Sequence, residues 1–387
     1  MTEAIIRPGS TGHSHGGGEV PLQIRSARLR STDPADHSEI NRRDEQWRYL
    51  DAERLRGLES NALTNAIDDI KVSVPAEFTL NQVDANDSSF GKAGLPEDRP
   101  TANAWSAATK ALKLTLSGEA SEPAVINVDN IGANRAAHLI LESKTHAHGT
   151  VVIDHTGDAT LAEIVEIIVG DESSLTVISI QDWNSDAVHT SAQFARLGRN
   201  AKLKHVVVSL GGKTVRVTPI AEFAGPGGDA ELLGLYFADS EQHLEHRSYV
   251  DHAVANCKSR VTYKGALQGK NAHTVWVGDV LIRQAAEGTD TYELNRNLLL
   301  TDGARADSVP NLEIETGEIE GAGHASASGR FDDEQLFYLQ ARGISELDAR
   351  RLVVRGFLNE IIQRIGIESL EQRLNASIEA ELVRSEY

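Results

Sequence analysis

The chain is 387 residues long, enough to bury a sizeable core in two or three domains. With 57 acidic against 38 basic residues its formal charge is −19, which argues against nucleic acid as a partner, because phosphate backbones are bound through clustered cations. No window approaches the ~18 uninterrupted apolar residues of a membrane span, and the single cysteine, Cys257, excludes an intrachain disulfide framework.

Taken in order, residues 1–38 read as a flexible tail, low in hydrophobicity and rich in glycine, serine and polar groups. The tail lacks the basic start and apolar middle of an export signal, so together with the lone thiol it implies a cytoplasmic protein. His13 and His15 supply two imidazoles, too few for a closed metal site. Residues 39–104 read as an N-terminal helical segment and connector. Within 44–55, Trp47, Leu50 and Leu55 fall near one face of a helix that would dock on the main body, and 66–100 look like a loose polar connector.

Residues 105–330 change character. Leu112, Leu114 and Leu116 alternate at period two, and short β-type runs follow, among them Val151-Val152-Ile153, Ile167-Ile168-Val169, Val206-Val207-Val208 and Val280-Leu281-Ile282. Glycine, aspartate, asparagine and serine separate the runs, and no long helical period interrupts them. Strands in series without helices exclude a doubly wound α/β fold and leave a sandwich, a barrel or a solenoid of stacked rungs. No strict repeat is visible. The last strand is expected at 310–315, followed by a turn of small residues carrying His324, which Gly321, Gly323 and Gly329 would leave accessible.

Residues 331–387 read as a C-terminal helical domain. Asp332 with Gln335 has the form of a helix start, as do Ser345 with Asp348 and Ser369 with Gln372. Val354, Phe357, Leu358, Ile361 and Ile365 recur at three- and four-residue steps, then Leu370, Leu374, Ile378 and Leu382 every fourth residue. Such stripes must pack against something, part on the core and part on a partner.

Several motifs invite chemistry and lose to simpler readings. Gly211-Gly212-Lys213-Thr214 suggests a phosphate loop, but Val207 stands where the first glycine belongs and β-like residues flank it on both sides. His146 and His148, with His155 behind, lack a further ligand at telling spacing and read as surface or rung-packing histidines, as do His243 and His246. Cys257 beside Lys258 would become a sulfur acceptor if its pKa fell, against the commoner role of a small buried group. Asn295 and Asn297 suit side-chain ladders inside a solenoid turn.

The stretch from Pro310 to Ile344 resembles the SufB/SufD family of iron–sulfur cluster assembly scaffolds. The resemblance is carried by Pro310, Leu312-Glu313-Ile314, Glu318-Ile319, Gly323-His324-Ala325, Gly329-Arg330, Asp333-Glu334-Gln335, Phe337-Tyr338-Leu339 and Arg342-Gly343-Ile344. Further similarity lies in His252, Ser259, Tyr263-Lys264-Gly265, the Asn295-Arg296-Asn297 run and Glu45-x-Trp47-Arg48-Tyr49. The family's cysteine two residues before the histidine is absent; Ala322 stands there, which makes the chain most like SufD.

The resemblance implies a right-handed parallel β-helix core, mainly β, in a non-enzymatic scaffold subunit of a SufBCD complex. It implies pairing with a SufB-type chain near Leu312, Ile314 and Ile319, and docking of a SufC-type ATPase around Phe337, Tyr338, Leu339, Arg342 and Phe357. His324 would help hold a transient Fe–S cluster shared with the partner, whose thiolates this chain cannot supply. The family's association with a reduced flavin finds no nucleotide-binding fingerprint here. Exposed sheet ends would also let the isolated chain pair with itself as a homodimer. Two rival readings are a β-helix carbohydrate-active enzyme, a lyase or esterase, and a homodimeric structural protein without a cluster.

Overall fold

The structure is a computed structural model that describes residues 28–330 and 333–384. Of the tail expected at 1–38, residues 28–38 are fastened to the body, Arg28 donating to Glu97 at 2.9 Å and Asp279 at 3.1 Å and the Ser31 amide to the Pro96 carbonyl at 3.0 Å. The part up to residue 27, with His13 and His15, and the capping box of Asp332 and Gln335 lie outside the described residues.

From Lys110 to Arg330 the chain is strand after strand, and successive strands alternate between two sheets. Every second strand therefore pairs in parallel with its predecessor but one, which winds the chain into a parallel β-solenoid of about eight turns. The β-helix expectation holds. The step along the first sheet runs from Val188 to Thr214, His243, His273 and Arg305, lengthening from 26 to 32 residues. This drift hides the repeat in the sequence, since turn loops absorb the added residues without disturbing strand register.

Three apolar layers hold the fold. Inward residues of both sheets, such as Leu161, Val177, Phe223 and Trp276, fill the lumen. The outer face of the second sheet is covered by the C-terminal helices, and that of the first sheet by residues 40–111. Both faces of the central strands are thus buried, and the strand Ala159–Val169 is buried at every position, which is why its apolar residues run on where a half-exposed strand would alternate.

The N-terminal segment differs from expectation. Residues 44–55 form two short 3₁₀ turns, Glu45–Trp47 and Ala52–Leu55, because Asp44 caps the first and Arg56 in the left-handed region ends the second. Their apolar residues are nonetheless buried as the pattern implies: Trp47, Leu50 and Leu55. The connector is not loose. It holds the strands Lys71–Ser73 and Phe78–Asp84, then the helix α1, Arg99–Ala107, whose N-cap Asp98 accepts from the Thr101 amide.

Both short strands pair antiparallel on the first rungs and close that end of the solenoid. At the other end the strands Arg305–Ile314 and Gly321–Arg330 are the last in their sheets. The second of these corrects the expected turn: residues 321–330 make a full strand on Asp290–Leu299. Their glycines, alanines and serines have little β propensity, and the ladder of a preformed neighbouring rung overrides it.

The helices α2 (Asp333–Gln340), α3 (Glu346–Ile362) and α4 (Glu368–Arg384) follow. Ser345 caps α3 as expected, accepting from the Asp348 amide. Ser369 does not cap α4, which already begins at Glu368.

Candidate functional site

The open end of the solenoid is a mouth whose walls follow from strand parity. Along Asp290–Leu299 the buried positions Thr291, Glu293, Asn295 and Asn297 point into the lumen. In register with Glu293, Asn295 and Asn297 stand His324, Ser326 and Ser328 of the final strand. Asn297 donates to the Ser328 hydroxyl at 3.2 Å, so this parity faces inward on both strands. His324 therefore lies on the lumen side at the last rung, and it is exposed because no further rung covers it. The sequence-based accessibility is correct, with an open lumen as its cause.

Beneath the mouth is a polar cluster. The Tyr236 hydroxyl donates to Asn297 Oδ1 at 2.7 Å and accepts from Asn295 Nδ2 at 2.9 Å. Ser308, on the other terminal strand, donates to Asn295 Oδ1 at 2.6 Å and accepts from Asn297. The two asparagines do not form the expected stacked ladder: they lie in one strand, Asn297 donating to Asn295 Oδ1 at 2.8 Å, and the rung below offers Tyr263 and Gly265 in register.

Glu293 stands apart from that network. It is 1% exposed, and neither carboxylate oxygen has a hydrogen-bond partner. Burial, helped by the nearby charge of Asp279, pushes it up to about 8. Its Oε1 lies 2.8 Å from where a Cβ on Gly278 would sit, so the side chain reaches across the lumen to the opposite sheet. Sequence inspection passes over Glu293 as one acid among 57. The available signal was its parity: Thr291, Glu293, Asn295 and Asn297 make an unbroken polar stripe, whereas the rung below has Val261 and Tyr263 in register with Glu293 and Asn295.

Deeper in the lumen, His246 stacks on Tyr236 at 4.9 Å and shares a 3.0 Å hydrogen bond with Ser209. Further down lie His155, Glu163 and His189, fully buried, with ligand atoms within 4.8 Å of one another. Hydrogen bonding makes this an ion pair. Trp183 donates to His189 Nδ1 at 3.2 Å, so neutral His189 carries its proton on Nε2 and presents no lone pair to a metal. His155 donates through Nδ1 to the Ile180 carbonyl, and its Nε2 meets Glu163 at 3.0 Å. Burial opposes charge on both groups, but their mutual attraction prevails, raising His155 and holding Glu163 well below the usual carboxylate range.

The other expected site residues fall as follows. His146 lies in a turn with φ 61° and His148 begins the next strand, so the pair shares no strand face. His243 is buried, paired with His273 at 3.1 Å and Glu245 at 3.1 Å. Residues 211–213 run into the strand Thr214–Phe223, where a phosphate loop would need a helix. Cys257 is buried against the lumen cluster, and burial pushes its thiol up, opposite to the activation by Lys258 that a sulfur acceptor needs. Each strand from Lys110 to Ile314 leads to another strand, and the last, Gly321–Arg330, leads to the helix that begins at Asp333.

At the mouth, Leu312 and Ile319 pack on the lumen cluster while Ile314 is 46% exposed. On the helical side, Phe337 is 72% and Tyr338 55% exposed, with the Arg342 guanidinium 4.4 Å over the Tyr338 ring. Leu339 is half-buried, and Phe357 is half-buried against the second sheet. No helix among the described residues is long and apolar enough to cross a membrane.

Residues 125–357 match the profile of the SUF system FeS cluster assembly, SufBD core domain. The chain is 54% identical over 351 residues to an iron-sulfur cluster assembly SufBD family protein of Mycobacterium bovis, covering 88% of each chain. It is 52% identical over 355 residues to one of Mycobacterium leprae, covering 89% of this chain and 91% of that one. A second M. leprae SufBD family protein is 26% identical over 261 residues, 66% of this chain and 30% of its own length. These likenesses favour iron–sulfur assembly over the carbohydrate-active reading.

Proposed function

The chain belongs to the SufBD family of iron–sulfur cluster assembly proteins, and on that premise we propose that it is a SufD-type, non-enzymatic scaffold subunit of a cytoplasmic SufBCD complex. The observation that carries this reading is the mouth: an open solenoid end whose last rung presents one accessible imidazole, His324, among small residues.

Two terminal strands with unpaired outer edges are templates for continuing both sheets into another chain. A SufB-type chain docked there would cover Leu312, Ile314 and Ile319 and place its thiolates over His324. The neutral imidazole supplies one nitrogen ligand to the cluster, which is cargo, and the partner supplies sulfur. Exposed Phe337 and Tyr338, with Leu339 and Arg342, form the surface for a SufC-type ATPase. Aromatic rings with a stacked arginine suit the buried centre of an interface. Helix α3 links that surface to the solenoid wall, so ATP-driven movement would be felt at the rungs below the mouth. No flavin step enters this scheme.

The test is anaerobic co-expression with SufB- and SufC-type partners, followed by assay of iron and labile sulfide in the complex. Complex formation with cluster loss in His324→Ala is the expected result. Unchanged cluster content would reduce this chain to a spacer, and failure of the wild type to form a complex would overturn the reading.

A further inference from the structure

His243 and His273 are register partners at the starts of two adjacent strands, His243–His252 and His273–Ile282. Leu244 and Trp276 of the same strands turn into the lumen, so by parity both imidazoles face outward from the first sheet. His243 Nε2 meets Glu245 Oε2 at 3.1 Å, and His273 Nε2 meets Asp307 Oδ2 at 2.7 Å. Glu245 also accepts from Arg216 at 2.7 Å and Arg247 at 3.3 Å, and Asp307 from Arg305 at 3.0 Å. Burial opposes ionisation of both carboxyls, but their donors prevail and hold them below the usual carboxylate range. A carboxylate only accepts, so each Nε2 carries a proton, and in the neutral rings each Nδ1 is left with a lone pair. Those two lone pairs face one another across 3.1 Å, with the ring planes 72° apart.

We infer that His243 and His273 form a zinc site that bridges two rungs, one Nδ1 from each ring on the metal and water in the remaining positions. Two nitrogens on one tetrahedral zinc, each ~2.0–2.1 Å from the metal, stand ~3.3 Å apart, close to the spacing of this pair. Bare lone pairs repel, and a metal between them turns the repulsion into two bonds. Glu245 and Asp307 are the outer partners that a zinc-bound imidazole ordinarily has: each takes the far ring N–H, fixes the tautomer and aims the near nitrogen. Arg54 opposes positive charge on His243, and with Arg216, Arg247 and Arg305 it offsets the two carboxylates. The site therefore has no surplus negative charge. That suits a borderline metal held by neutral nitrogens and disfavours calcium or magnesium, which take oxygen ligands. The His273 side chain is one-fifth exposed, which gives the metal an approach from the surface. His324 stands on the other sheet, so this site is separate from the mouth and its cargo.

The experiment uses the full chain, stripped with a chelator and desalted, with Zn(II) alone as the probe. Zinc equivalents and affinity are read by competition with a chromophoric chelator at pH 7.5, and crystals grown with Zn(II) are measured at the zinc absorption edge. Wild type is expected to bind one equivalent more than His273→Gln, with anomalous density between the two Nδ1 atoms. Asp307→Asn, which keeps both ligands, is expected to bind that equivalent at least about tenfold more weakly. His324→Ala is expected to keep it. Metal-free melting curves matching wild type show that the variants are folded, and should one melt early, the wild-type density decides. Equal zinc stoichiometry in wild type and His273→Gln, or no density between the rings, would overturn the site and leave a shared proton as the cation between them.

Discussion

The Lys264 ammonium donates a hydrogen bond to the Phe357 carbonyl at 3.2 Å, and the same ammonium meets Glu360 at 2.5 Å and lies 4.8 Å over the Phe357 ring. One nearly buried cation on the second sheet thus fastens the middle of α3 to the solenoid wall. Lys264→Ala would leave a carbonyl and a ring uncovered at this joint. We expect a loss of about 2 kcal/mol, read as a lower melting temperature, with faster proteolysis confined to residues 333–384. A change of under ~0.5 kcal/mol would show that the apolar stripes alone hold the helices.

Gly234 and Gly265 each lie under an aromatic ring of the adjacent rung. A Cβ on Gly265 would stand 1.8 Å from a Tyr236 ring atom, and one on Gly234 would stand 1.9 Å from Tyr263. Either ring would have to leave its packing, and Tyr236 would drop its hydrogen bonds to the asparagines. Gly265→Ala is therefore expected to cost about 1–3 kcal/mol in a urea titration, although alanine is otherwise the better strand residue. An unchanged midpoint would mean that the ring has room to move.

Acid should destabilise the protein through its lumen histidines. Burial lowers His205 to about 4 and His246 and His252 to about 3. Below the ordinary value of 6.5 the unfolded chain takes up these protons and the folded chain does not, so stability is full above pH 6.5 and lost as pH falls toward 4. Melting temperatures at pH 7, 6 and 5 should fall progressively, and His246→Gln should flatten the decline. A flat profile would show that these rings are protonated in the folded state.

Glu293 carries the opposite sign. Its folded value of about 8 lies above the ordinary 4.5, so between those limits the unfolded state releases a proton that the folded state keeps, and stability declines as pH rises. Glu293→Gln should accordingly stabilise the chain at pH 7.5 by at least about 1 kcal/mol. A purely architectural carboxyl would give the reverse, a lower melting temperature.

Phe337→Asp and Tyr338→Ala change side chains that are mostly exposed among the described residues. We expect both to leave the melting temperature within ~0.5 kcal/mol of wild type and to abolish co-purification with the SufC-type ATPase. Undiminished capture of the ATPase would move its docking surface elsewhere.

Much of this molecule was legible in its residues, because local chemistry is written locally. Short apolar runs, with period-two alternation at Leu112, Leu114 and Leu116, marked the strands, Ser345 marked the start of α3, and the stripe from Val354 to Ile365 foretold a buried helix face. Trp47, Leu50 and Leu55 gave their burial away even though the backbone there takes 3₁₀ turns, since burial follows apolarity and the turn type follows the caps. The strand at 321–330 was not legible: its small residues lack β propensity, and only the neighbouring rung makes them extended. Nor could spacing alone pair Tyr236 with Asn297, 61 residues away, or set Glu293 beneath His324. In a solenoid those meetings are decided by how many residues each turn spends in its loops, and that number varies freely without leaving a trace in the strands themselves.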